Sequence, residues 1–132
     1  MAKHKVSELS GGILDVAVAL ALGMKVAPSL SEPGWWLVFN PARGGWDTIM
    51  AEAPDEMDRT VWSPSGKWEH GGPLIHRDRI ELGYTGDGEW AAACNPDASE
   101  SFCLTWHEGQ TPLTAAMRAY VASKLGDVVD LP

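Results

Sequence analysis

The chain has 132 residues, of which 45% are hydrophobic and 21% charged, and its formal net charge is −8. This length and composition are typical of one globular domain with a sizeable core, and they exclude a disordered or fibrous chain. Because duplex nucleic acid is bound mainly by lysines and arginines that neutralise phosphates, the acidic charge also excludes broad duplex binding. The seven tryptophans predict a core rich in indole rings, with a few rings at its rim.

The first predicted element is a helix that begins after Ser10, a good N-cap residue, and ends near Gly23. Its apolar residues recur at helical spacing on both sides, so we expect it to be buried within the fold or against a second copy of the chain. The basic start and the apolar run superficially resemble a signal peptide, but Asp15 interrupts the run, which is also too short to span a bilayer. We therefore expect a cytoplasmic protein that does not cross a membrane.

The next segment alternates between strand composition and strong breaks. A polar turn is predicted at 28–33, a strand at Trp35–Asn40 and a break at 41–45. The composition then favours a short helix at 46–53 and an acidic loop at 54–59.

A brief strand at 60–62 is followed by a predicted long loop, Ser63–Pro73. Prolines and glycines at positions 64, 66, 71, 72 and 73 favour turns over regular structure in this loop.

A three-stranded antiparallel meander is predicted next. Residues Arg79–Thr85 alternate between apolar and polar side chains, Gly86–Gly88 has strong turn chemistry, and Glu89–Cys94 returns as the second strand. After a turn at 95–101, Phe102–Trp106 is predicted as the third strand.

The last predicted element is a helix with Thr111 as its N-cap, Pro112 at its first position and Gly126 at its end. One apolar stripe runs along it, formed by Leu113, Ala116, Met117, Tyr120, Val121 and Leu125. The whole pattern predicts an α+β fold in a single domain, 1–132. In this fold a small antiparallel sheet, the three-stranded meander plus one or two extra strands, is flanked by an N-terminal and a C-terminal helix.

Three stretches of the chain form a recognisable combination. Ser-Glu-Leu-Ser-Gly and Leu-Asp-x-Ala-Val-Ala lie within 7–19, Trp-Ser-Pro-Ser and Trp-x-x-Gly-Gly-Pro-Leu-Ile lie within 62–75, and Thr-Pro-Leu-x-Ala-Ala-Met-Arg opens 111–127. Together they resemble the NinX-like family of phage and prophage proteins, whereas residues 29–59 and 95–101 depart from that pattern. The resemblance implies a phage accessory protein in the cytoplasm of a bacterial host, and it supplies no mechanism.

A candidate ligand site is predicted in the segment Trp62–His76, assisted by Arg118 of the last helix. Glycine allows a ligand to approach the backbone, tryptophan can stack on a base or sugar, and arginine binds anions with paired N–H groups. The residues of this predicted site are Trp62, Ser63, Ser65, Trp68, His70, Gly71, Gly72 and Arg118.

No metal, cofactor or catalytic site is predicted. Histidines 70, 76 and 107 and cysteines 94 and 103 include zinc-ligand types but lack zinc-site spacing. Ser63, His70 and Asp78 lack the turn motif that presents a nucleophile. The two cysteines flank the predicted turn at 95–101, and the sequence leaves open whether they form a disulfide, although a cytosolic location favours free thiols.

These observations favour a non-enzymatic phage accessory protein that binds a host or phage protein. The alternative is a small-ligand protein that binds a nucleotide-like anion at the Trp62–His76 segment. The apolar first helix is compatible with a homo-oligomer. Neither duplex nucleic acid nor a membrane is expected as a partner.

Overall fold

The computed structural model describes residues 2–30, 34–40, 44–50, 62–94 and 106–131 of the chain. The elements in these ranges, in chain order, are β1 (Ala2–Lys5), a 3₁₀ helix (Val6–Glu8), α1 (Gly11–Ala21), β2 (Val26–Pro28), β3 (Trp35–Asn40), β4 (Gly45–Met50), α2 (Trp68–Arg77), β5 (Ile80–Tyr84), β6 (Trp90–Cys94), β7 (His107–Gly109), α3 (Pro112–Leu125) and β8 (Val128–Leu131). The predicted α+β class, with one helix near each end, is confirmed.

The described strands form three small antiparallel sheets. The predicted meander is the sheet β5-β6-β7, while β2-β3-β4 and the pair β1-β8 make two further sheets. The extra strands therefore lie in sheets of their own, and they do not extend the meander. In the pair β1-β8, Ala2 lies opposite Leu131, so residues near the two ends of the described chain are joined by a short ribbon.

The core lies between α3, α1 and the meander. Seven residues of α3 are buried, namely Leu113, Ala115, Ala116, Met117, Ala119, Tyr120 and Val121. All of these except Leu113 pack with Ile80 of β5 and Ala92 of β6 in one apolar cluster, whereas Leu125, at the end of the predicted stripe, is exposed. Small side chains on β6 let helix and sheet approach closely, which accounts for the predicted packing of the last helix on the meander.

The ends of α3 follow the predicted pattern. The Thr111 hydroxyl accepts a hydrogen bond from the Thr114 N–H at 3.1 Å, which satisfies one of the free N–H groups of the first turn. At the other end Gly126 has φ +90°, a backbone conformation that favours glycine.

Helix α1 is buried inside the fold, which is one of the two environments predicted for it. Residues Leu14–Ala19 are all buried, and the helix packs against α3. Its N-cap position is Ser10, but the Ser10 side chain makes no capping hydrogen bond. No helix in the described ranges is long and apolar enough to cross a membrane.

Two element predictions are wrong. Residues 46–50 are not helical, because they form β4, which pairs along its whole length with β3. The register places Phe39 opposite Trp46 and Trp36 opposite Ile49, and backbone pairing with a neighbouring strand overrides a weak helical pattern. The rest of the predicted helix, the acidic loop at 54–59 and positions 60–61 lie outside the described residues.

The prediction of a loop at Ser63–Pro73 is also wrong for residues 68–73, because α2 begins at Trp68 and includes Gly71, Gly72 and Pro73. The proline ring removes one backbone hydrogen bond, the one that would reach Glu69. Both residues are exposed, so water can satisfy that carbonyl, and tertiary packing supplies the stability that propensity does not.

In the described residues the third strand of the meander is β7. It begins after Trp106, the last residue of the predicted strand, and pairs with β6 through His107, Glu108 and Gly109. Positions 102–105 and the predicted turn at 95–101 lie outside the described residues.

Candidate functional site

A buried carboxylate connects the predicted segment to α1. Asp15 is 1% exposed in the middle of that apolar helix. Its Oδ2 accepts a hydrogen bond from the Ser63 hydroxyl at 2.8 Å, and its Oδ1 accepts one from the Ser65 N–H at 2.8 Å. Burial raises the pKa of Asp15 to about 6, although the hydrogen bonds from Ser65 and Ser63 lower it. The turn at 62–66 is therefore fixed to α1 by an acid whose charged form is costly to bury.

Two further hydrogen bonds complete this network. The Ser65 hydroxyl donates to the Gly11 carbonyl at 3.2 Å, and the Ser63 N–H donates to Nδ1 of His70 at 2.9 Å. Because Nδ1 accepts this hydrogen bond, it carries no proton in this arrangement. We name Asp15, Ser63, Ser65 and His70 the Asp15 network.

Gly71 lies where α2 crosses both the turn and α3. A Cβ atom added there would overlap the Pro64 carbonyl oxygen and would lie 2.7 Å from Cδ2 of Leu113. At Gly72 the nearest atom to an added Cβ is Cε3 of Trp68, at an ordinary 3.9 Å. Gly71 is therefore needed for close packing, whereas Gly72 leaves room for a side chain.

The two tryptophans of the predicted segment have different environments. Trp62 is buried in the core, while Trp68, at the first turn of α2, is 56% exposed. The structure thus brings Ser63, Ser65, His70 and Gly71 together through packing within the chain. Whether these residues also bind a ligand stays a prediction.

Arg118 lies in a different part of the molecule. Its Nε donates to the Leu9 carbonyl at 2.8 Å, and its Nη1 donates to the Glu108 carbonyl at 2.7 Å. It lines a cleft of about 340 Å³ whose described lining residues are Ser7, Glu89, Trp106, His107, Glu108 and Arg118. We name this the Arg118 cleft, and none of its described lining residues belongs to the Trp62–His76 segment.

The charges in the Arg118 cleft are unevenly distributed. Partial burial lowers the pKa of Arg118 while Glu89 raises it, and the guanidinium stays charged at neutral pH. Burial lowers the pKa of His107, and Asp127 has the opposite effect. Trp106 is 47% exposed at the rim. The cleft therefore offers one fixed cation beside a flat aromatic ring.

A second cavity lies next to the cleft. Its volume is about 230 Å³, and its described lining residues are Lys5, Val6, Ser7, His107, Asp127 and Val128. It shares Ser7 and His107 with the Arg118 cleft. The two cavities together form what we name the β7 groove, between β7 and the β1-β8 ribbon.

A comparison with protein families now places the chain. The family model described as "Bacteriophage P22, NinX" matches residues 5–124. The chain belongs to this phage NinX family. A search of curated proteins found no match. Membership makes this NinX-family chain a phage accessory protein, as the resemblance implied.

The three stretches that carried the resemblance meet in this NinX-family fold. Asp15 of the first stretch accepts hydrogen bonds from Ser63 and Ser65 of the second. Gly71, also of the second stretch, packs against Leu113 of the third. The motifs therefore hold α1, the turn, α2 and α3 together.

The candidate metal ligands and nucleophile that lie in the described part of this NinX-family chain do not form a metal-binding or catalytic group. Among the described residues no group of three or more His, Cys, Asp or Glu side chains could hold a metal ion. The Ser63 hydroxyl donates to Asp15, and His70 binds the Ser63 backbone, so this hydroxyl and imidazole are not paired as nucleophile and base. Burial raises the pKa of the Cys94 thiol, and since Cys103 lies outside the described residues, their pairing stays a prediction.

Sequence reasoning missed Asp15 and Trp106 as site residues. The signal for Asp15 was an acidic residue inside an apolar helix, because a buried carboxylate needs hydrogen-bond or charge partners. No comparable signal marked Trp106, since its partial exposure depends on tertiary packing that no local pattern specifies.

Proposed function

We propose that this phage accessory protein works by binding a partner protein, of host or phage origin, at the Arg118 cleft. The observation that carries the proposal is a guanidinium fixed by two backbone carbonyls beside a half-exposed tryptophan, Trp106. Tryptophan and arginine are the residue types most enriched among those that dominate protein interfaces.

The fixed position of Arg118 supports this proposal. A guanidinium has five N–H groups. Two of them donate to Leu9 and Glu108 within the described chain, which leaves the others for a partner. Because the side chain is already ordered, binding loses less conformational entropy than it would with a mobile arginine.

Capture from host lysate, with and without phage infection, tests the proposal. The protein is compared with Trp106→Ala and with Leu30→Ala, a control that truncates another exposed apolar side chain. The proposal expects one protein that wild type and Leu30→Ala retain and that Trp106→Ala loses. Equal retention by all three proteins contradicts it.

A small anionic ligand is the second candidate, because the cleft volume of about 340 Å³ lies within the range of small-molecule sites. Thermal-shift screening with nucleotides and other phosphates tests it. A shift lost in Trp106→Ala indicates the cleft, and a shift lost in Trp68→Ala indicates the Trp62–His76 segment that the sequence favoured. No shift with any of these compounds removes the candidate.

A further inference from the structure

We infer that the β7 groove takes an extended peptide segment of the partner, with one carboxylate against Arg118 and a small apolar side chain against Val128. This inference rests on the proposed protein-binding function and names the part of the partner that binds. The carboxylate is that of an acidic side chain or of a chain terminus.

The shape of the groove favours a peptide over a compact ligand. Its two cavities follow one another and meet at Ser7 and His107. A compact anion would occupy only the cavity that contains Arg118. An extended chain advances by about 3.3 Å per residue and presents side chains along a line, so it can fill both cavities in succession.

The chemistry of the two cavities differs, which fixes the cavity that each of the two peptide groups occupies. The second cavity contains Val128, which is 51% exposed and has no cover within the described chain, together with the oppositely charged Lys5 and Asp127. At the other end, Arg118 shares its cavity with Glu89 and Glu108. These acids disfavour a run of negative charges, so one carboxylate that pairs with one guanidinium fits best.

Selection from random octapeptides tests the inference. One library leaves the C-terminal carboxylate free, and a second joins that end to the carrier, so the format that is enriched identifies the source of the carboxylate. Enriched peptides are synthesised with fluorescein, and Kd is measured by fluorescence anisotropy for wild type, Val128→Glu and Leu30→Glu. The first variant places a carboxylate in the second cavity, and the second adds the same charge at the exposed Leu30.

Val128→Glu is expected to fold, because Val128 lies opposite Lys5 in the β1-β8 ribbon, where a Glu–Lys pair is favourable. Circular dichroism checks this. We expect peptides that combine a carboxylate with Val, Ile or Leu, and an affinity loss of about tenfold or more in Val128→Glu but not in Leu30→Glu.

Two results would overturn the inference. One is the absence of enrichment in both libraries, and the other is enriched peptides that bind Val128→Glu as tightly as wild type. If lysate capture still depends on Trp106, either result overturns the peptide inference alone. If capture does not depend on Trp106, the proposed function fails as well.

Discussion

Replacing Gly71 by alanine tests the packing on which the fold of the motif region depends. The added Cβ would overlap the Pro64 carbonyl oxygen and would lie 2.7 Å from Cδ2 of Leu113. Neither a backbone carbonyl nor a buried leucine in a packed core can move freely, so α2 would have to shift. Forcing extra atoms into a packed interior costs about 3 kcal/mol. A helical Gly→Ala change contributes about 1 kcal/mol of stability, so the expected net loss is about 2 kcal/mol.

Gly72→Ala is the matched control, one residue further along the same helix. An added Cβ meets only Trp68, at 3.9 Å. This variant should therefore be more stable than wild type by up to about 1 kcal/mol, because alanine has a higher helix propensity than glycine. Urea unfolding measures both free energies, and a shift of the midpoint at constant slope indicates a change of stability alone. If Gly71→Ala is as stable as Gly72→Ala, α2 does not pack against the turn and α3 as described.

Three further changes have defined outcomes in the same unfolding assay. Burial raises the folded-state pKa of Asp15 to about 6, above about 4 in an unfolded chain. Protonated Asp15 therefore stabilises the fold at low pH. Relative to Asp15→Asn, the free energy of unfolding should fall by roughly 3 kcal/mol as the pH rises from about 4 through 6. Equal pH profiles of the two proteins would contradict this. Arg79 has φ +52° just after α2, so Arg79→Gly should gain about 0.5 kcal/mol while Arg79→Ala gains nothing. Thr111→Ala removes the cap of α3 and should cost about 1 kcal/mol, with no effect if the helix begins elsewhere.

The elements that were predicted correctly are those whose caps, turns and apolar patterns lie within the element or next to it. Helix α3 combines a cap, a first-turn proline and a terminal glycine, and its bounds agree with the prediction. Strand β3 was predicted over Trp35–Asn40 and is found there. The hairpin β5-β6 follows from alternation and from the Gly86–Gly88 turn. In each case the residue pattern that predicts the element lies within the element or at its ends.

Helix α2 could not be predicted in the same way. Its two glycines and its proline all disfavour a helix in isolation. What stabilises it lies elsewhere in the chain, since the Ser63 N–H holds His70, and Pro64 and Leu113 lie against Gly71. A residue pattern that lowers helix propensity can thus mark close packing, where the absence of a side chain is the requirement.

The Arg118 cleft shows why the candidate site was only partly predicted. Arg118 was predicted as a site residue because arginine binds anions with paired N–H groups. Its neighbours come from Ser7, Glu89 and Trp106–Glu108, segments with no common spacing that only tertiary packing brings together. Arg118 also donates hydrogen bonds to the Leu9 and Glu108 carbonyls, so its removal perturbs the structure as well as the cleft. Trp106 makes no such bond in the described chain, and for that reason its truncation tests binding separately from folding.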